Sequence, residues 1–519
     1  MPGSNIKGIH TGTAAATAAL AIGLLVFALN AKGDVIYKWV QLVPKDDIGA
    51  QAVIKTIVNA SDDCAVVTIG NNEVTLEETG RSKPDTGFES IKLCESFLDS
   101  RLTDRFSKAK FPDDINALTV PDLSKGVPLT EMIGFGCTGC RGVGPQGKCT
   151  QEDWPFGQVT AHGANHTSNE LPPLVVHLGD VRYADQKDLP DFWTKENVEG
   201  ALAGWKEEYF DVAKPLLDKG LWINMRGNHE ACLLPGKEDE GWMVKKRAKN
   251  MKNRGSAWFY FFGYDEEVSC KSVFKDGDMV GPFVFDARSY QGTFDDAKWG
   301  DQLVRLVVLD TVRTGDSRDN DAEVTKKKYT NVFDEVEKKF MHGGTPLWIL
   351  SHIPIYSING DKFKSTVVLD ALNDSKLNKQ LSKVKMAVAA HRHEALLVNP
   401  NMGNPATKGP IQYVVGHGGV ALSGDSRTQL ACDLANVKWT PIGKDEDDLE
   451  SETTWAVLRR PNWGYVKADF RGGNSRFSMQ FYSLKQDKWY GDATVNCNSD
   501  VKGQFLCPYL PQASHIKCP

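Results

Sequence analysis

The sequence predicts an α/β protein built on parallel strands, and three observations carry that expectation. Four short apolar runs, at 174–178, 221–225, 347–350 and 384–390, have strand length, and each stops at a polar residue. Between the first two, Trp205, Tyr209, Val212, Ala213, Leu216 and Leu217 fall at helical spacing. That makes a strand–helix–strand unit, whose two strands are expected to be parallel. The chain is also long enough for a large core: 519 residues, 41% hydrophobic and 25% charged, which is ordinary for two or more globular domains.

Residues 13–29 carry no charge and follow Lys7 and His10. With small residues at Ala28 and Ala31, residues 1–31 read as a signal peptide. The stretch nears bilayer-spanning length, so a signal anchor is the competing reading. Either way the chain is expected in the secretory pathway, secreted or membrane-anchored facing the lumen or outside. An uncleaved anchor would be its only membrane contact. Asn59-Ala60-Ser61, Asn165-His166-Thr167 and Asn373-Asp374-Ser375 are glycosylation acceptors. Eleven cysteines, an odd count, leave a free thiol or an intermolecular bond. The net charge of -6 gives no electrostatic reason to expect a nucleic-acid partner. The charge runs at 326–328 and 445–448 read as solvated faces.

Residues 32–128 read as a small β-rich module and linker. The runs 35–40, 52–58 and 64–69 are rich in β-formers and separated by Asp, Gly and Asn. Cys64 and Cys94 are a candidate staple. Pro112, Pro121 and Pro128 mark the linker, and no cluster of catalytic residue types occurs here.

The four apolar runs deliver Gly179-Asp180-Val181-Arg182-Tyr183, Gly227-Asn228-His229-Glu230, Ser351-His352-Ile353-Pro354-Ile355-Tyr356 and His391-Arg392-His393. In open α/β sheets ligands bind beyond the carboxyl ends of the strands, so these side chains are expected to face a site. Carboxylate, amide oxygen and imidazole together suit borderline-to-hard cations. In their order these motifs resemble the calcineurin-like metallophosphoesterases. Tyr183, Pro354 and Tyr356 are similar to the purple acid phosphatase-like branch. The resemblance covers roughly residues 130–485. It implies a four-layer α-β-β-α sandwich, here at 129–495, after the small N-terminal β module and before a cysteine-containing tail at 496–519. It further implies two metal ions, iron and/or zinc with manganese as an alternative. Asp180 would bridge them, Tyr183 and His393 would hold the first, and Asn228, His352 and His391 the second.

One position departs from that pattern. Where the family has Gly-Asp-x-Gly, this chain has Gly136-Cys137-Thr138-Gly139. Cys137 then takes the slot of a first-metal aspartate. A rival register on Gly134-Phe135-Gly136 leaves no side chain there. Cys140, Cys149 and Trp154-Pro155-Phe156 fit secreted relatives in the first register, which implies a Cys140–Cys149 disulfide and a single Cys137. Read alone, Cys137-x-x-Cys140 is also compatible with redox or zinc chemistry, although no second such pair accompanies it.

The activity implied is hydrolysis of phosphate esters, most simply monoesters, on a phosphorylated small molecule or protein. A cation-activated water would attack phosphorus in line. His229 would stabilise developing charge or protonate the leaving alkoxide, with an orienting role as the alternative. Arg182 and Arg392 fit phosphate binding or salt bridges equally. The alternative function is a catalytically weakened member used for binding or scaffolding, kept open by Cys137. Of the remaining elements, 303–309 reads as a strand ending at a structural Asp310. His417 lies in a family-like turn and reads as packed or substrate-contacting. Residues 463–470 and 476–482 form a hairpin pattern suited to the closing strands of a sandwich. Cys497, Cys507 and Cys518 belong to an irregular, stapled tail.

Overall fold

The computed structural model describes residues 34–506 except 46–48, 85–86, 99–105, 113–115, 141–148, 150–153, 169–170, 184–201, 233–254, 276–278, 292–297, 313–321, 342–344, 360–361, 365, 400–408, 421, 423–434, 440–452, 461–462, 471–475, 486–487 and 500–504. The N-terminal segment 1–31, the charge run at 445–448, Cys507 and Cys518 lie outside the described residues. The stretch expected as an irregular tail from 496 begins instead in strand Lys488–Ser499, where Cys497 pairs with Phe477 of Arg476–Lys485 because the hairpin continues through a third antiparallel strand. No described helix is long and apolar enough to cross a membrane.

Two large mixed sheets, of 11 and nine described strands, organise the chain. In the first, Glu131–Phe135, Leu174–His177, Leu221–Asn224 and Val35–Pro44 lie side by side and parallel. In the second, Lys298–Leu309, Leu347–Ser351, Val384–Ala389 and Ile411–Val415 do the same. The parallel pairing expected for the strands preceding Asp180 and Asn228 is thus observed. The hairpin is present too, with Trp463–Asp469 antiparallel to Arg476–Lys485 and the former beside Glu131–Phe135.

Residue alternation sorts the side chains into three apolar layers, because successive strand residues point to opposite faces. Leu174 and Val176 join Trp348, Leu350 and Val388 in the core shared by both sheets. Val175 faces the other way, toward Phe156, Val159, Tyr209 and Leu216 of the helical segments 156–165 and 202–217. Leu347 and Ile349 meet Tyr329, Phe333, Val368 and Leu372 of the helices Ala322–Phe340 and Val367–Asp374. The strands are apolar on both faces because both faces are covered. The result is the α-β-β-α layering expected.

The N-terminal β stretch does not sit apart as a separate module. Val35–Pro44 pairs directly with Leu221–Asn224, and Ala50–Asn59 and Ile91–Phe97 extend that same sheet. Val127–Leu129 joins the second sheet. A four-stranded sheet, Asn72–Thr75, Val66–Ile69, Ser107–Lys110 and Leu118–Val120, is hydrogen-bonded to neither, but its Val67, Ile69, Ala109 and Leu118 join the core between them. The physical reason is that Val40 and Leu42 are apolar toward the inter-sheet core while Tyr37 and Trp39 are apolar toward the outer layer. A strand with two buried faces belongs inside a covered sheet.

Three disulfides close loops among the described residues: Cys64–Cys94, Cys140–Cys149 and Cys232–Cys270. The first two were expected. Cys137 is free and buried.

Candidate metal centre

The carboxyl ends of the parallel strands in the two sheets meet at one place. Leu174–His177 leads to Asp180, Leu221–Asn224 to Asn228, Leu347–Ser351 to His352 and Val384–Ala389 to His391. Glu131–Phe135 leads to Cys137. The backbone turns sharply at these ends. Cys137, Asp180 and His391 have φ of 53°, 58° and 61°, so three of the four described non-glycine residues with positive φ belong to this cluster. Such conformations cost energy for L-residues and are found where surrounding structure enforces them. Here the enforcement is visible. The Cys137 N–H donates to the Gly179 carbonyl at 2.9 Å, and the Thr138 N–H to that of Asp180 at 2.9 Å.

The seven side chains named from the sequence as ligands form one connected network. Cys137 Sγ lies 3.9 Å from Asp180 Oδ2. The Tyr183 hydroxyl donates to the same Oδ2 at 2.6 Å and lies 3.1 Å from His393 Nε2. His352 Nε2 is 3.3 Å from Asp180 Oδ2 and 2.9 Å from Asn228 Oδ1. His391 Nδ1 is 2.9 Å from that same Asn228 Oδ1. A cysteine sulfur, an aspartate oxygen and an imidazole nitrogen, of Cys137, Asp180 and His352, lie within 4.8 Å of one another, all buried. Cys137 therefore faces the cluster, as the first register expects.

The protons explain what this arrangement wants. His352 Nδ1 sits 2.7 Å from the Leu178 carbonyl, which only accepts, so Nδ1 carries the proton. His352 Nε2 then faces two oxygens, Asn228 Oδ1 and Asp180 Oδ2. A proton on Nε2 satisfies both in the metal-free protein, and a cation among the three atoms can take its place. Metal-binding histidines commonly donate the distal N–H to a carbonyl in this way. The donor set and these inward-facing oxygens fit divalent or trivalent cations.

Charge follows the same logic. Burial would raise the Asp180 pKa, but His352, His229 and His391 around it hold the carboxyl well below its ordinary value. Burial would lower His352, while Asp180 and the Leu178 carbonyl draw it above the usual imidazole value. Burial and the Asp180 charge push the Cys137 thiol well above its ordinary value.

His229 is half-buried at the edge of the cluster. Its backbone N–H donates to Asp180 Oδ1 at 2.9 Å, and its ring lies on Tyr183 with centroids 4.1 Å apart. Both arginines have a carboxylate partner. Arg182 is buried and its Nε donates to Glu208 at 3.1 Å, which is an internal ion pair. Arg392 Nε lies 3.7 Å from Glu394. Asp310 takes an ion pair from Arg226, in keeping with a structural role. His417 is fully buried beside Phe481, a packed histidine.

Two features escaped the sequence reading. Glu230, next to His229, is fully buried and accepts four backbone N–H groups. The Cys232–Cys270 disulfide fixes the chain just beyond it. Glu230 sits in a named motif, so its position was visible, but its partners are backbone groups that leave no residue pattern.

No protein-family model matches the chain, and no curated protein matches it. Among solved structures, the chain is similar to a purple acid phosphatase from yellow lupin (Lupinus luteus) seeds, at 14% sequence identity and a TM-score of 0.49, over 91% of this chain and 75% of that one.

Proposed function

We propose that the protein is a metal-dependent phosphoesterase, acting most simply on phosphate monoesters. The observation that carries this reading is the convergence of Asp180, Asn228, His352 and His391 from two sheets, with His352 Nε2 2.9 Å from Asn228 Oδ1 and 3.3 Å from Asp180 Oδ2. In this reading Asp180 would be shared by two cations, Cys137, Tyr183 and His393 would hold the first, and Asn228, His352 and His391 the second. Bound there, such cations supply Lewis-acid polarisation of phosphoryl oxygens and lower the pKa of a water. The protein's own groups do the rest. Asp180, held anionic, sets the spacing of the two halves. His229, half-buried at the rim, is positioned to donate a proton to the departing alkoxide as the phosphorus–oxygen ester bond breaks and a water oxygen bonds to phosphorus. The Tyr183 ring beneath it restricts the imidazole.

The test is metal content by mass spectrometry together with turnover of a generic aryl phosphate. His352→Ala and His391→Ala should each lower bound metal and activity together. Unchanged metal stoichiometry in both variants would refute the assignment.

A second reading, a catalytically weakened protein used for binding, is favoured by one observation: a cysteine, its sulfur 3.9 Å from Asp180 Oδ2, stands where the resemblance leads one to expect an aspartate. In the first reading the Cys137 thiolate forms on metal binding, and its softness favours zinc or ferrous iron over manganese. Cys137→Ser matching wild type in metal and rate would remove the thiolate from the ligand set. A large gain in rate confined to Cys137→Asp would favour the binding protein.

Passage through the secretory pathway is part of the proposal. Three disulfides suit an oxidising compartment. Asn59, Asn165 and Asn373 are all exposed, as glycan acceptors must be.

A further inference from the structure

We propose that Glu230 is the positioning residue that fixes Asp180 relative to Asn228, and so sets the gap in which the cluster's cations would lie. The inference rests on the metal-centre reading for its consequence, but its geometry stands alone. Asp180 and Asn228 follow different strands, and Asp180 Oδ1 accepts the N–H of His229 across the gap at 2.9 Å. The Glu230 carboxylate spans the same gap with four further bonds. Oε1 accepts the N–H of Val181 at 2.9 Å and of Arg182 at 3.2 Å. Oε2 accepts the N–H of Asp180 at 2.9 Å and of Gly227 at 2.9 Å. Three of these donors belong to the Asp180 turn and the fourth immediately precedes Asn228. The carboxylate is fully buried, so no water competes for these bonds. The turn it holds includes Asp180 at a φ of 58°, a conformation that requires outside support.

Four donors on two oxygens demand a carboxylate. In Glu230→Gln, either orientation of the amide puts an NH2 group against two backbone N–H donors. That arrangement repels, and it loosens one side of the clamp without changing side-chain volume. Groups that orient metal ligands from behind typically change metal affinity or activity 10–100-fold when altered.

The experiment compares wild type, Glu230→Gln and Glu230→Asp in the full chain, using hydrogen exchange and zinc titration. Exchange at 179–182 and 227 in Glu230→Gln should quicken at least about tenfold, while Leu347–Ser351 stays protected. Its zinc dissociation constant should rise by about 10–100-fold, with Glu230→Asp, which keeps both oxygens, falling between it and wild type. Unchanged exchange at 179–182 would overturn the inference. So would a uniform loss of protection across both sheets, which marks a merely structural residue. If Glu230→Gln does not fold, Glu230→Asp is held to the same criteria against wild type. If wild type binds neither zinc nor, on parallel titration, ferrous iron or manganese, the metal reading fails, and the exchange result still decides the clamp.

Discussion

Replacing Gly179 by alanine tests how closely the two strand ends of the first sheet are packed. Gly179 has a φ of 89°, and a Cβ there would lie 2.4 Å from the Gly227 nitrogen and 2.6 Å from both the Arg226 carbonyl carbon and the Gly227 Cα. These are backbone atoms, which cannot rotate away. The left-handed conformation costs an L-residue about 1–2 kcal/mol. Separating two packed backbones adds about 1–3 kcal/mol, by analogy with overpacked cores. The expected loss is thus about 2–5 kcal/mol. Gly281→Ala is the control, because nothing lies within 4 Å of its Cβ position and its φ is not positive. That change should stay within about 0.5 kcal/mol. Urea unfolding followed by tryptophan fluorescence reads both. The apparent midpoint of Gly179→Ala should fall by about 0.7–1.7 M, given a urea slope of about 3 kcal/mol/M. Bound metal should fall with it, because the Asp180 and Asn228 turns are forced apart. Equal midpoints for the two variants would refute the close backbone approach.

Three further outcomes follow. Tyr183→Phe removes the donor to Asp180 and the contact with His393, and should cost about 1 kcal/mol in the metal-free protein and lower metal retention on dialysis. Burial pushes the His417 pKa down to about 3, so the unfolded chain takes up that proton first and stability falls as pH drops below about 6.5. At pH 5 this amounts to about 2 kcal/mol relative to pH 7.5, and His417→Phe should show a correspondingly smaller acid loss in denaturant titrations; an identical loss would count against it. Replacing Cys232 and Cys270 by serine opens a loop of sequence separation 38, which should cost about 4 kcal/mol on the chain-entropy account and loosen the Asn228–Glu230 turn in hydrogen exchange.

Much of the site was legible because it is written in local pattern. A four-to-seven-residue apolar run with Asp, Asn or His close behind it marks a strand end, and His352 and His391 needed no tertiary information to be singled out. The same holds for the hairpin at Trp463–Asp469 and Arg476–Lys485. What was hidden depends on partners far along the chain. Val35–Pro44 reads as a strand, but nothing in its alternation says that Leu221–Asn224 is its neighbour, and it was assigned to a separate module. Cys232 and Cys270 carry no sign of each other. Glu230 acts on backbone N–H groups, which every residue has, so no residue type reports it.

The place of Val35–Pro44 inside the first sheet also bears on how the chain is made. Its hairpin partner, Ala50–Asn59, emerges from the ribosome almost at once, but its parallel neighbour follows only about 180 residues later. At about 5–20 residues per second, the open edge waits roughly 10–40 s. During that interval a strand with two apolar faces and unpaired N–H groups has no lawful neighbour, which is the condition for pairing with another chain. Vectorial synthesis thus gives this protein an early, exposed template, and an escort that covers it until Leu221–Asn224 arrives would raise the yield of folded molecules.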